Sequence, residues 1–222
     1  MSVICAESTE GTFMKTNVLM KNERIPDETD SVRDSITDEM LIEKFRAGDG
    51  HAFTMLVNRY QVRVTHMASM LVGDDHHGMD IAQDAFVKVY ENIGQFRGEA
   101  GFYTWLYRIV YNCAMTHIRK RRISSWLPLG GDEDEFDLPS HGPDPEKCAE
   151  DAEIRRAVNR ALKKLPVRQR TAFSLKQLDG LKFREIADVM GITEGAAKAS
   201  YFHAVRKLQD HLKDYGEAYG LR

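Results

Sequence analysis

The run Phe96-Arg-Gly-Glu-Ala-Gly-Phe-Tyr-Thr-Trp-Leu-Tyr-Arg-Ile-Val-Tyr-Asn112 crowds aromatic and basic side chains around a turn and the helical pattern that follows it. Aromatic faces stack unpaired bases. Arg97, Arg108, Arg119, Lys120, Arg121 and Arg122 can neutralise phosphates, so this composition suits single-stranded DNA. Trp105, Leu106 and Ile109 recur at helical spacing and are assigned to packing rather than to base stacking.

A second pattern, Phe183-Arg-Glu-Ile-Ala-Asp-Val-Met-Gly191-Ile-Thr-Glu-Gly, reads as two helices joined by a tight turn, the form of a helix-turn-helix. Ile186, Met190 and Ile192 can fill the angle between the helices, and small Ala187 permits close approach. Gly191 suits a turn where a Cβ would be unfavourable. Thr193 can cap the second helix, whose polar residues Glu194, Lys198 and Ser200 can face a DNA major groove while Arg206 and Lys207 approach phosphates.

Other spacings suggest different chemistry and support it less. His76 and His77 stand near Asp74, Asp75 and Asp80, but the reading puts them in a solvated loop between helices, and the spacing fixes no coordination geometry. No metal or cofactor is expected, and no ordered catalytic constellation supports a helical hydrolase built on these histidines. Cys113 and His117 share a helix face, but Cys113 falls on its apolar side and reads as a buried thiol.

The elements that must position these residues are all helical; no strand-like alternation and no internal repeat is present. Thr37 caps a helix from Asp38 in which Leu41, Ile42 and Phe45 repeat until Gly48. A second helix from about His51 stops near Gly73, and two more are read over Asp80 to Ile93 and Gly101 to Arg122. From Ser125 the chain turns rich in Gly, Pro and acidic residues, which marks a linker. Beyond it Ile154, Val158, Ala161 and Leu162 form one stripe ending at Leu165–Pro166. A helix to about Leu178, a short one over Phe183 to Met190, and a longer one from about Glu194 to Leu212 follow. The expectation is an all-α chain of two four-helix domains, over residues 37–122 and 151–213. A disordered N-terminal extension (1–36) without sustained periodicity, a flexible acidic linker (123–150) and a tail (214–222) complete it.

Charge supports that division. Residues 1–37 carry four basic and seven acidic groups, 38–122 eleven and ten, 123–150 one and eight, and 151–222 fifteen and nine. A whole-chain net charge of −3 thus hides a basic C-terminal part behind an acidic middle. No apolar run approaches the ~20 residues that span a bilayer, and the N-terminus lacks a basic start before an apolar core. The three cysteines, Cys5, Cys113 and Cys148, lack CxxC spacing, which fits a reducing cytoplasm and argues against a disulfide framework.

Residues 38–122 and 151–212 together resemble the two conserved domains of extracytoplasmic-function sigma factors of the RpoE-like type. The resemblance rests on Asp80-Ile-Ala-Gln-Asp-Ala-Phe-Val-Lys-Val-Tyr90, Phe96-Arg-Gly, Thr104-Trp-Leu-Tyr-Arg-Ile109, and Leu165-Pro through Leu178-Asp-Gly-Leu181 with the helix-turn-helix after it. It implies a non-enzymatic factor that binds core RNA polymerase and directs initiation at particular promoters, with no small-molecule substrate and no membrane insertion.

Residue by residue, it implies that Asp80, Gln83, Asp84, Val87 and Tyr90 contact polymerase. Phe96, Arg97, Arg108, Asn112, Arg119 and Lys120 would meet the minus-ten element as an opened strand, with Phe96, Arg97 and Asn112 near a captured base. From its chemistry alone Asn112 is equally a solvent-facing or capping residue. Lys198, Ser200, Phe202, His203 and Arg206 would read the minus-thirty-five element as duplex. Ala199, Ser200 and Val205 make this recognition helix less basic than is usual in the family. An anti-sigma factor is implied by family habit. The acidic run Asp132 to Asp137 reads either as an occupant of the polymerase nucleic-acid channel or as a solvated spacer. The rival reading is a stand-alone helix-turn-helix regulator binding duplex DNA as a symmetric dimer, which accounts only for the C-terminal third.

Overall fold

The structure is a computed structural model that describes residues 36–124 and 157–218. The expected N-terminal extension, most of the acidic linker and the end of the tail lie outside the described residues. Every regular element within them is helical.

In the N-terminal part, α1 (Asp38–Arg46) starts where Thr37, in extended backbone, accepts a hydrogen bond from the Met40 amide at 3.3 Å. Asp38 and Glu39 in its first turn and Lys44 and Arg46 in its last complement the helix dipole. Asp38 also accepts from the Tyr60 hydroxyl and pairs with Arg59, tying α1 to α2. Burial, with the Asp38 hydrogen bond and charge, pushes that phenol well above its ordinary range.

Helix α2 (Gly50–Val72) is capped by Asp49 and closed by Gly73, whose φ of +80° is the left-handed conformation a helix C-terminus favours. It buries Ala52, Leu56, Tyr60, Val64, Met67, Ala68 and Leu71, a stripe spaced by three and four residues.

Helix α3 runs Asp75–Asn92, five residues earlier than its expected start at Asp80. His76 and His77 therefore lie in its first turn and not in a loop. The cause is Asp74, which directly follows Gly73 and accepts from the His77 amide at 2.6 Å, so two residues suffice to reverse the chain. Close packing of α2 and α3 also requires Gly78, where a Cβ would lie 2.1 Å from the Ser69 hydroxyl and 2.6 Å from its Cα.

A 3₁₀ turn (Ile93–Gln95) leads into the loop before α4 (Phe102–Ser124). Helix α4 packs on α2 and α3 through buried Phe102, Leu106, Tyr107, Val110, Tyr111, Cys113 and Ala114.

In the C-terminal part, the described stretch of α5 (residues 157–163) buries Ala157, Val158, Ala161 and Leu162. Pro166 precedes α6 (Val167–Gln177). Buried Arg170 of α6 reaches back to the Lys163 carbonyl at 3.5 Å. After a turn containing Gly180, α7 (Phe183–Met190) begins with Glu185 accepting from the Lys182 amide at 2.7 Å, half of a capping box. Gly191, at φ +63°, makes the turn into α8 (Glu194–Ala218). This last helix continues past the expected end near Leu212, because no proline interrupts the hydrogen-bond ladder.

Candidate nucleic-acid interface

Helix α4 has a buried side and a charged side. Trp105, Arg108, Asn112, Thr116, Arg119 and Lys120 recur every three or four residues, which keeps them on one face. Arg108, Asn112, Arg119 and Lys120 are exposed, and Trp105 is half-buried at the head of this row. From Arg108 to Lys120 the row spans about 18 Å, at ~1.5 Å per residue. The four candidates that sequence placed on this helix are thus brought together.

The exposed Asn112 side chain makes no hydrogen bond among the described residues, so it is not a cap, and its donor and acceptor are both available to a base edge. Thr116, which sequence reasoning missed, stands one turn beyond, with its hydroxyl on the Asn112 carbonyl at 2.8 Å. Its spacing from Asn112 was the available signal.

Phe96 departs from expectation. Its side chain is only 8% exposed, and the ring packs edge-on to Phe102 at 5.8 Å and against Trp105 at 5.3 Å. It is a floor under Trp105 in this structure and not an open stacking face, because a ring this size finds its best burial against its aromatic neighbours. Arg97 beside it is exposed. Trp105, assigned to packing, keeps part of its surface in solvent, whereas Leu106 is fully buried and Ile109 half-buried.

Sequence reasoning also missed Arg46. Its Nη2 donates to the carbonyls of Ile93 at 3.1 Å, Gly94 at 3.4 Å and Phe96, all in the segment joining α3 to α4. A last-turn arginine looks like an ordinary dipole partner, so no local signal points to this contact.

On α3, Asp80, Gln83, Asp84, Val87 and Tyr90 are all exposed and form a single outward stripe opposite buried Ile81, Ala82, Ala85 and Val89. Val87 and Tyr90 are 52% and 57% exposed, and Met79 extends the apolar surface by a further turn. The Tyr90 ring stands edge-on to Phe45 at 5.2 Å and Phe53 at 5.1 Å, which fixes it despite its exposure. On the flank facing α4, Lys88 Nζ donates to Sγ of buried Cys113 at 3.3 Å.

In the helix-turn-helix, Ile186, Ala187 and Met190 are buried as expected and Ile192 is half-buried. The Ile192 amide donates to the Ala187 carbonyl at 3.0 Å across the turn. Ala197, Ala204 and Leu208 face inward on α8, so Gly195, Ala199, Phe202, His203 and Arg206 share the outward face. Gly195 and Ala199 were missed as members of that face; their small side chains leave Phe202, 62% exposed, as its first bulky group.

Lys198 and Ser200 do not join that face together, because residues two apart on a helix point nearly opposite ways. Ser200 is half-buried on one flank. Lys198, on the other, pairs with Glu194 at 2.7 Å and lies 5.9 Å from the Phe183 ring centre. Among the described residues, no group of three or more His, Cys, Asp and Glu side chains could hold a metal ion.

The chain, all-helical among the described residues and with a helix-turn-helix in its C-terminal part, matches the sigma-70 class in both parts. The Sigma-70 region 2 family matches residues 56–123, and Sigma-70 region 4 matches residues 155–208. The ECF RNA polymerase sigma-E factor of Escherichia coli K12 is 36% identical over 192 residues, covering 81% of this chain and 96% of its own length. The sigma-E factor of Haemophilus influenzae is 33% identical over 185 residues, covering 81% and 97%. The RNA polymerase sigma-H factor of Pseudomonas aeruginosa is 35% identical over 181 residues, covering 79% and 94%.

The chain belongs to the extracytoplasmic-function (ECF) RNA polymerase sigma factors. Solved structures that share its fold include two bound to partner proteins. The sigma factor RpoE of Bartonella quintana, in complex with the anti-sigma factor NepR, has a TM-score of 0.62 at 22% identity, covering 72% of this chain and 96% of that one. CnrH, in complex with the cytosolic domain of CnrY, has a TM-score of 0.58 at 24% identity, covering 80% and 97%.

Proposed function

We propose that this chain binds core RNA polymerase through the outward stripe of α3 and directs it to promoters, reading the minus-ten element as an opened strand on α4 and the minus-thirty-five element as duplex on α8. The observation that carries this reading is the packing of α3 against α4. Docking residues and base-reading residues stand on neighbouring helices of one folded part, so attachment to polymerase sets the position of the strand-reading face. Residues 37–122 and 151–213 are the two promoter-reading domains in this assignment. The helix-turn-helix alone, as in a dimeric regulator, leaves the α3 stripe and the α4 row without a role.

Within the minus-ten site, Arg108, Arg119 and Lys120 neutralise phosphates, Arg97 and Asn112 approach the captured base, and Phe96 supports Trp105 from beneath. On α8, Phe202, His203 and Arg206 enter the groove and Lys198 lies to one side. The factor works in the cytoplasm without a catalytic residue or cofactor, and an anti-sigma factor is the further partner that family membership suggests. Among the described residues no helix is long and apolar enough to cross a membrane.

In vitro transcription with core polymerase and start-site mapping tests the assignment: specific starts that require both proteins support it, and tight duplex binding without polymerase overturns it. The finer assignment of Asn112 is tested by Asn112→Ala on promoters varied at each minus-ten position, scored by permanganate reactivity of unpaired thymines. A defect of roughly five- to a hundredfold that depends on one base position supports a base contact, worth about 1–3 kcal/mol. An equal defect on every promoter removes Asn112 from the reading surface.

A further inference from the structure

We propose that Arg46 is a positioning residue for minus-ten recognition: from the last turn of α1 it fixes the backbone of residues 93–96 and thereby sets where Arg97 and the Trp105 end of α4 meet the opened strand. This rests on the reading of that loop as the minus-ten element's contact.

Past the end of α3, the carbonyls of the 3₁₀ turn and of the loop after it leave the helical ladder and need donors from elsewhere. The 3₁₀ turn supplies one, from the Phe96 amide to the Ile93 carbonyl at 3.2 Å. Arg46 adds a second donor to the Ile93 carbonyl and also bonds those of Gly94 and Phe96, all through its Nη2. A cation there also complements the negative end of the helix dipole. The backbone of the segment is permissive, with Gly94 inside it and Gly98 at φ +72°, so contacts from outside the loop must hold it.

Two holds are present. The Phe96 ring is buried against Phe102 and Trp105, and the Phe96 carbonyl is bound to Arg46. Arg97 is the next residue and points to solvent from a backbone fixed on the preceding side. The neighbouring Phe45 packs its ring on Tyr90 at 5.2 Å, so two consecutive residues of α1 grip the end of α3 and the loop after it. Arg46 is itself exposed and forms no ion pair among the described residues. Its removal admits water to three carbonyls without opening the apolar interior, so the fold survives the test.

The experiment compares Arg46→Ala, Arg46→Lys and Arg97→Ala in the full chain, each assembled with core polymerase on promoters varied at every minus-ten position. Permanganate reactivity, core affinity and thermal unfolding are the readouts. Expected for Arg46→Ala is a loss of about tenfold in open complexes on the preferred sequence, with the same base position losing discrimination as in Arg97→Ala. Core affinity and the unfolding midpoint stay at wild type, and Arg46→Lys, which keeps a cationic donor on a shorter side chain, recovers part of the loss. Wild-type discrimination in Arg46→Ala alongside a position-dependent defect in Arg97→Ala overturns the role of Arg46 and leaves the loop assignment standing. No position dependence in Arg97→Ala removes the loop assignment and this proposal with it. A uniform defect with a lowered unfolding midpoint assigns Arg46 to general stability and also overturns the proposal.

Discussion

The imidazoles of His77 and His117 lie 4.8 Å apart, joining the first turn of α3 to the middle of α4. His77 Nδ1 is 2.7 Å from the Asp74 carboxylate, while the buried Nε2 of His117 has no hydrogen-bond partner among the described residues. Burial holds the His117 pKa below its ordinary value, and the charges of His77 and Arg121 add to the effect against Asp74 and Asp80.

The unfolded chain therefore binds a proton at a pH where folded His117 does not, so stability rises with pH. This contribution is complete above the ordinary histidine value of 6.5 and is lost as pH falls below it. The Asp74 carboxyl, lowered first by its hydrogen bond from the His77 amide, contributes stability that is lost only as pH falls below 3.8. Thermal unfolding of the N-terminal helices should accordingly drop as pH falls below about 6.5, and His117→Gln should flatten that dependence. An unchanged slope in the variant would show that another group carries it.

Gly78→Ala should destabilise the same helices by roughly 1–3 kcal/mol, because the new Cβ meets Ser69 backbone as well as its hydroxyl and the helices must separate. Gly50→Ala, where nothing lies within 4 Å of the added carbon, serves as the control and should change stability by no more than about 0.5 kcal/mol. Denaturant unfolding of both variants decides; equal effects would argue against close backbone contact at Gly78.

Replacing Gln83 and Asp84 with lysine should weaken core-polymerase binding by about tenfold, or ~1.4 kcal/mol, with helical content unchanged, since both side chains are exposed. Wild-type affinity in the well-folded double variant would exclude both as contacts.

Arg206→Ala should weaken duplex binding by the polymerase complex across sequences and reduce its salt slope by about one. Lys198→Ala should do less, because the ammonium of Lys198 is already paired with Glu194 and lies off the outward face. Salt titrations of both variants give the comparison, and equal slopes would place Lys198 on the phosphates after all.

The helices were legible wherever capping chemistry is local. Thr37, Gly73, Pro166 and Gly191 each act within a turn of their own position, and periodicity shows which side of α2 is buried. The missed start of α3 follows from reading its histidines as loop when Asp74 was already a cap. Burial of Phe96 was not legible because the same aromatic spacing describes a platform or a floor, and only the neighbouring rings decide between them. Family resemblance supplied the docking and base-reading candidates; physics showed which of them share a face.

The grip of Arg46 on a loop some fifty residues further along the chain bears on how such factors are recombined. The region 2 match begins at residue 56, after α1 has ended. A chimera cut at that border would transplant α4 without the arginine that bonds the loop before it, and would graft that loop onto whatever side chain the host supplies there. A portable version of the proposed minus-ten module should therefore begin upstream of Thr37, where the cap of α1 is still intact.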